Sequence, residues 1–240
     1  MEGNKISGYN NDEFENGSYW TDGKDVYFFH TKISGADVDS FLQYAGPWAT
    51  DKNYCYCASF RLENADRETF NVLNRIFAKD KFNVWTGDGK KVKGLDAESF
   101  EIFGDRDSVS PFVFCKDRNH VYYYFYGIKI IKKALVESFI PINREFGIDK
   151  NNVFWHEKKL NGANSKTWKL LKEDYHYSKD KYIYFCDRII KKADIETFEV
   201  IEGVELYHSK INYAKDKNRY YFNSKIISKD EFEKNRIMKR

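Results

Sequence analysis

The stretch YAKDKNRYYF, residues 213 to 222, sets Lys215, Asp216, Lys217 and Arg219 between Tyr213 and the triplet Tyr220, Tyr221, Phe222. A carboxylate among cations could do acid–base work, open an oxygen-ligand loop, meet a nucleic-acid backbone, or hold a tight turn. The Asp-x-Asn pattern recurs at Asp51/Asn53, Asp117/Asn119 and Asp149/Asn151, as at the start of a calcium loop. Calcium takes roughly six to eight oxygens, and the later bidentate Glu and central Gly of an EF-hand are missing. Phe82 and Tyr182 stand where two further copies would need their second ligand. The turn is the better reading. An Asp carboxylate can accept the backbone N–H two residues on, and Asn tolerates positive φ. No metal and no cofactor is expected.

Other chemistries find little support. The histidines His30, His120, His156, His176 and His208 are scattered, with no His-Glu-x-x-His among them. Gly-x-Ser-x-Gly, P-loop and Gly-x-Gly-x-x-Gly motifs are absent. A catalytic site is one constellation, whereas these carboxylates recur along the chain, so the expectation is a protein that is not an enzyme. Cys55, Cys57, Cys115 and Cys186 lie in apolar strand-like runs without a disulfide framework's spacing, and read as reduced thiols packed as small hydrophobes. Lys and aromatics alternate in YYFYGIKIIKK, a pattern that stacking and phosphate contacts would use. The pI of about 8.4 lies below the usual footprint of a nucleic-acid-binding domain. Strands that bury aromatics and expose Lys give the same alternation.

The recurrence is the informative feature. Aligned on the carboxylate, the motif appears at Asp22, Asp51, Asp80, Asp117, Asp149, Asp180 and Asp216, 29 to 37 residues apart. A second landmark follows each copy: ADVDSF from Ala36, ADRETF from Ala65, LDAESF from Leu95, ALVESF from Ala134, ANSKTW from Ala163, ADIETF from Ala193, and a worn SKDEF from Ser228.

These two landmarks resemble the DKNYY family, bacterial proteins named for an Asp-Lys-Asn-x-x-Tyr-Tyr core. Asp216-Lys217-Asn218 followed by Tyr220-Tyr221 carries the likeness best, ahead of Asp51-Lys52-Asn53 and Asp149-Lys150-Asn151; repeats one, three and six depart at the Asn. The resemblance runs from about Asp22 to Phe232. It implies a repeat fold and transfers no site, because the family has no defined catalytic residues. Many relatives look exported.

The elements that must position these residues follow from the pattern. Each polar cluster between two apolar runs reads as a hairpin loop. A second tight turn and a short third strand come next. The Ala-Asp-x-Glu-Thr-Phe landmark reads as the start of a short helix, with Asp194 at the N-cap, Glu196 in the first turn, and Ala193 and Phe198 placed as a hydrophobic staple. A two-turn helix is unstable alone and must dock on the strands. The expected fold is mainly β with short helices, an α+β repeat. About seven strand-strand-strand-short-helix units, starting near residues 19, 48, 77, 112, 146, 177 and 213, would form one elongated or curved array over 1–240. A closed propeller-like ring is the alternative.

The bulk composition agrees. The 240 residues include 18 Tyr, 20 Phe and 5 Trp against 3 Pro, as suits strands. The net charge of +3 comes from 40 basic and 37 acidic residues spread along the chain, which fits a solvated surface. MEGNKISGYNNDEFENG has no signal-peptide core, and no run reaches a membrane span, so a cytoplasmic protein with no membrane role is expected. The expected function is non-enzymatic binding of another protein. Its concrete form is an inhibitor or immunity-type protein masking a bacterial or phage-related effector, toxin or nuclease. Nucleic-acid binding by Lys/aromatic faces and an adhesin-like surface role are the alternatives. Insertions map to loops, often on the binding side. Asp105, Arg106 and Asp107 in GDRDSVSP, and Tyr207 and His208 in GVELYHSK, are therefore candidate contacts. Trp85 and Trp155 join them as Trp is frequent at interface hot spots, with core packing the alternative.

Overall fold

The computed structural model describes residues 4–6, 19–104, 112–172, 176–201, 205–206, 209–210 and 213–237. The chain divides into two compact units, 1–130 and 131–240. Both are mainly β, and every strand pair is antiparallel.

Each repeat supplies a first and second strand joined by the Asp loop, and all but the third add a tight turn and a short third strand. In the second repeat these are Trp48–Thr50, Cys55–Cys57 and Phe60–Arg61. In the sixth they are Tyr177–Lys179, Ile183–Phe185 and Arg188–Ile189. The second landmark leads into a linking strand, and this strand pairs with the next repeat. Asn71–Val72 lies beside Phe77–Lys79, Lys169–Leu170 beside Tyr177–Lys179, and Glu199–Ile201 beside Tyr213–Lys215. A typical sheet is therefore linking strand, first, second, third, and it straddles a repeat boundary. The third repeat keeps only a single bridge, Trp85 to Lys91, in place of its third strand. Asn4–Lys5 adds a fifth strand to the second repeat's sheet by pairing with Leu42–Gln43. Glu205–Leu206 and Ser209–Lys210 form a separate ribbon.

The helix expected at each landmark is not there. In repeats one, two, three, five and six the segment is a single turn, and in the fourth it is the 3-10 turn Val136–Ser138. Only the seventh landmark opens an α-helix, Lys229–Ile237. The capping chemistry itself exists: Asp66 Oδ1 accepts the amides of Glu68 and Thr69 at 3.1 and 3.2 Å. Helix growth is cut short because the next residues have better partners. Phe139 already sits at φ −73, ψ 129, extended, and Ile140–Pro141 pairs with Gly147 and Ile148. Sheet pairing satisfies backbone groups that an isolated two-turn helix, with its costly nucleus, would leave exposed. Among the described residues no strand follows the seventh landmark, and there the helix forms.

Within each unit the core lies between successive sheets. Tyr177, Ile183, Ile190 and Phe198 of the sixth repeat pack against Ala214 and Tyr221 of the seventh. The first unit repeats this, with Tyr19, Val26, Ile33 and Phe41 against Ala49 and Tyr56. The landmark Phe is the bolt in each layer, and burying one such side chain contributes about 1.5–3 kcal/mol. In five repeats the middle of the first strand is small so that sheets can approach: Ala49, Ala78, Gly147, Ser178 and Ala214 share that register. At Gly147 a Cβ would lie 2.3 Å from the Phe139 ring.

In five repeats the tight turn between second and third strands begins on a residue with positive φ: Phe29 at 50°, Ala58 at 52°, His156 at 53°, Cys186 at 52° and Asn223 at 53°. An L residue there costs roughly 1–2 kcal/mol. Backbone bonds hold it in place. The amides of Ala58, His156 and Cys186 donate to the carbonyls of Pro47, Glu145 and His176 at 2.7, 2.7 and 2.9 Å.

Candidate binding groove

The seven aspartates sit at the Asp loop. Asp51 is fully buried, and its Oδ1 accepts the amides of Asn53 and Tyr54, both at 2.7 Å. Its Oδ2 reaches the preceding repeat, accepting the Asp37 amide at 3.0 Å, and also takes the Tyr56 hydroxyl at 2.7 Å. The same cross-repeat bond runs from Asp66 to Asp80, Asp96 to Asp117, Leu135 to Asp149, Asn164 to Asp180 and Asp194 to Asp216, at 2.6 to 3.0 Å. Asp22, in the first repeat, is exposed and takes the amides of Lys24 and Asp25 and the Tyr27 hydroxyl.

The two landmarks are halves of one clasp. The landmark Ser or Thr accepts the amide after the loop Asp: Lys52 to Ser40, Lys81 to Thr69, Arg118 to Ser99, Lys150 to Ser138 and Lys217 to Thr197. The cation in that position pairs with the landmark Asp, as in Lys52–Asp37, Lys81–Asp66, Arg118–Asp96 and Lys217–Asp194. A side-chain donor also reaches each of these carboxylates. Tyr56, Tyr122 and Tyr221 supply it five residues after the Asp. Where that position is Trp85 or Phe154, Asn83 or Asn152 donates through Nδ2 instead. At Asp180 the donor is the Thr167 hydroxyl.

The electrostatics match. Burial pushes the Asp51, Asp117 and Asp216 carboxyls up, but the amide and tyrosine hydrogen bonds together outweigh it and hold all three below the usual carboxylate value. These carboxylates are consumed inside the protein and are poised neither for proton transfer nor for a cation. Among the described residues no three His, Cys, Asp or Glu side chains are grouped to hold a metal. The cysteines are free, and burial raises the Cys55, Cys57 and Cys186 thiols to about 12, so none is a ready nucleophile. Among the described residues no helix is long and apolar enough to cross a membrane.

Of the contact candidates, Asp105, Arg106, Asp107, Tyr207 and His208 lie outside the described residues. Trp85 is 2% exposed and packs with Trp48, Val72 and Ala78, its ring 6.0 Å from Phe70. Packing, not display, is its part. Trp155 is half-buried and lines a groove of about 400 Å³ in the second unit. The groove is built from three successive tight turns. In each, the aromatic that ends the second strand pairs across the turn with the cation that begins the third: Trp155 with Lys158, Phe185 with Arg188, Phe222 with Lys225. Cys186, Asp187, Asn223 and Ser224 complete the lining.

Trp155 is held firmly. Its Nε1–H donates to Glu145 Oε2 at 3.2 Å, and His156 stacks on one face with ring centroids 3.9 Å apart. Glu145 Oε1 also meets His176 Nε2 at 2.9 Å. Burial pushes Glu145 up, yet its bonds to His176 and Trp155 hold it below the usual carboxylate range, while burial pulls His156 down. Lys158 bridges to Asp187 at 3.0 Å. Arg188 and Lys225 are exposed and make no ion pair among the described residues.

Sequence reasoning missed Lys158, Phe185, Arg188, Phe222 and Lys225. Their signal was present as an aromatic followed by Lys or Arg three residues later in WHEK, FCDR and FNSK. The equivalent positions of repeats one, two and four pair Phe28 with Thr31, Cys57 with Phe60 and Tyr124 with Ile128, without a cation.

The DKNYY family model matches residues 48–182 and 179–239. No curated protein and no solved structure matches the chain.

Proposed function

We propose that the chain, which belongs to the DKNYY family, is a non-enzymatic repeat protein that binds another protein along the tight turns of its last three repeats. The observation that carries this reading is the groove itself. The repeated Asp, Lys, Ser/Thr and Tyr are spent on the inter-repeat clasp, whereas the three aromatic–cation pairs face a recess of about 400 Å³, and two of the cations have no ion pair among the described residues. Aromatic and Arg side chains are the types enriched at protein interfaces. Masking of an effector is the concrete form, since a scaffold with this chemistry can block a partner without transforming it.

The test uses the purified chain and an Arg188→Glu/Lys225→Glu variant as parallel baits in a lysate of the source organism. A protein retained by the first and lost by the second is then purified and titrated calorimetrically. The reading expects one defined complex, weakened at least tenfold by the double substitution. Recovery of nucleic acid alone, or a partner indifferent to the groove substitutions, overturns it.

A further inference from the structure

The groove's chemistry narrows its occupant. Trp155, Phe185 and Phe222 give an apolar wall, and Lys158, Arg188 and Lys225 give a cation beside each ring. Asp187 offsets Lys158, whereas Arg188 and Lys225 have no ion pair among the described residues and are open to a ligand's negative charge. One Trp155 face is covered by His156, and Phe185 is packed by Tyr177 and His176. Flat stacking of nucleobases on a bare platform is therefore disfavoured, and side-chain-sized apolar groups fit better.

The spacing adds a second constraint. Successive sheets of this unit pack face to face, and Tyr177 O–H donates to the Asn223 carbonyl at 2.7 Å, which sets the seventh repeat's turn beside the sixth. Face-packed sheets lie roughly 10 Å apart. A β-strand ligand turns alternate residues to the groove, a repeat of about 7 Å, and falls out of step. A polyproline II segment has three residues per turn and about 3.1 Å per residue, so every third side chain returns to one face after roughly 9 Å. Proline-containing segments of this form dock in aromatic-lined grooves with little loss of conformational entropy.

We propose that the groove takes an extended, acidic, proline-containing segment of a partner protein, with carboxylates three residues apart meeting Arg188 and Lys225 and prolines against Phe185 and Phe222. This rests on the protein-binding reading above and specifies the partner's chemistry. The experiment is fluorescence anisotropy with the full chain and a labelled (Glu-Pro-Pro)3 nonapeptide, beside its (Gln-Pro-Pro)3 counterpart and an oligothymidylate.

The Glu peptide is expected to bind saturably, to weaken as salt rises, and to lose at least tenfold affinity when Gln replaces Glu or when Arg188→Glu/Lys225→Glu is introduced. Both cations are exposed, so the double variant should keep its melting midpoint. Phe222→Ser, on a side chain 36% exposed, gives an independent apolar arm and should also weaken binding. Equal binding of the Gln peptide, indifference to the double variant, or no binding up to about 1 mM overturns the acidic segment. If capture of a whole partner remains groove-dependent in that case, protein binding stands and only the ligand class fails. Tight oligothymidylate binding without peptide binding overturns both.

Discussion

Removing the clasp carboxylate of the second repeat, Asp51→Ala, is the sharpest probe of what holds neighbouring repeats together. Four donors converge on this buried group: the Asn53 and Tyr54 amides on Oδ1, the Asp37 amide and Tyr56 hydroxyl on Oδ2. Asn53 and Tyr54 are exposed residues, and water can replace the carboxylate there. The Tyr56 side chain is fully buried and the Asp37 residue is partly so, and these donors lose their acceptor with poor access to water. A hydrogen bond to a charged group contributes about 1.5–3 kcal/mol, so the two Oδ2 bonds at the lower end of that range give about 3–4 kcal/mol of destabilisation. Asp51→Asn keeps one oxygen but turns an N–H₂ toward one set of donors, and should cost about 2 kcal/mol. Asp22→Ala is the internal control, with the same loop bonds on an exposed carboxylate and no bond from another repeat among the described residues. It should move the unfolding midpoint far less. Urea titrations followed by fluorescence and circular dichroism measure the midpoints, and coincident transitions establish whether one free energy describes the change. Hydrogen exchange at the Asp37 amide reports the broken bond directly. Equal shifts for Asp51→Ala and Asp22→Ala would refute the idea that the cross-repeat bond is the source of the stability.

Three further outcomes follow from the same contacts. Since the Asp51, Asp117 and Asp216 carboxyls lie below the ordinary value of about 3.9 when folded, their stabilisation is present above about pH 4 and is lost as pH falls through the folded values; acid titration of Asp51→Asn should show a shallower loss than the unsubstituted chain. Ser178→Ala should raise stability by about 1 kcal/mol, measured by the urea midpoint, because the Ser178 Oγ is buried without a hydrogen-bond partner where other repeats place Ala49, Ala78 and Ala214. Gly147→Ala should destabilise by about 1–3 kcal/mol through overpacking against Phe139, and Phe139→Leu in the same chain should recover part of the loss in a double-mutant cycle.

What could be read in advance depended on how far apart the deciding atoms lie. The loop at Asp51 is settled within four residues, since its Oδ1 bonds end at Tyr54. The landmark is different. Asp66 caps Glu68 and Thr69 whether a helix or one turn follows, so local capping chemistry could not distinguish them. The choice is made by Lys79 and Ala78, which pair with Asn71 and Val72 from the next repeat. The clasp leaves a trace within the repeats. The loop cation pairs at Lys52, Lys81, Arg118 and Lys217, where the landmark holds Asp37, Asp66, Asp96 and Asp194, and no such pair occurs where it holds Leu135 or Asn164. Asn83 and Asn152 enter where the tyrosine is replaced by Trp85 and Phe154. These are compensations between distant positions, and a search for single motifs passes over them. The groove was hidden for another reason: its aromatics and cations sit at the ends of strands only two or three residues long, too short for periodicity to carry a signal.

The tight turn is the place where this fold can change its surface without changing its backbone. Phe29, Ala58, His156, Cys186 and Asn223 differ in size, polarity and charge, yet hold φ within a few degrees of one another. For Ala58, His156 and Cys186 the holding bond runs from the turn amide to a carbonyl just before the first strand or at its edge, so the side chain takes no part in it. Transplanting residues 57 to 60, Cys-Ala-Ser-Phe, onto 185 to 188 should therefore leave the fold intact. Ala58 and Cys186 share φ 52°, and both amides already make the same backbone bond. The transplant replaces the Phe185–Arg188 pair with one lacking a cation, and removes Asp187, which frees Lys158. A protein whose function lay in the repeated clasp would be unaffected by this exchange. One that binds through the aromatic–cation pairs should retain its circular dichroism and cooperative unfolding while losing at least tenfold in affinity for its partner. Retained binding to the transplanted chain would show that the clasp face, and not the turns, meets the partner.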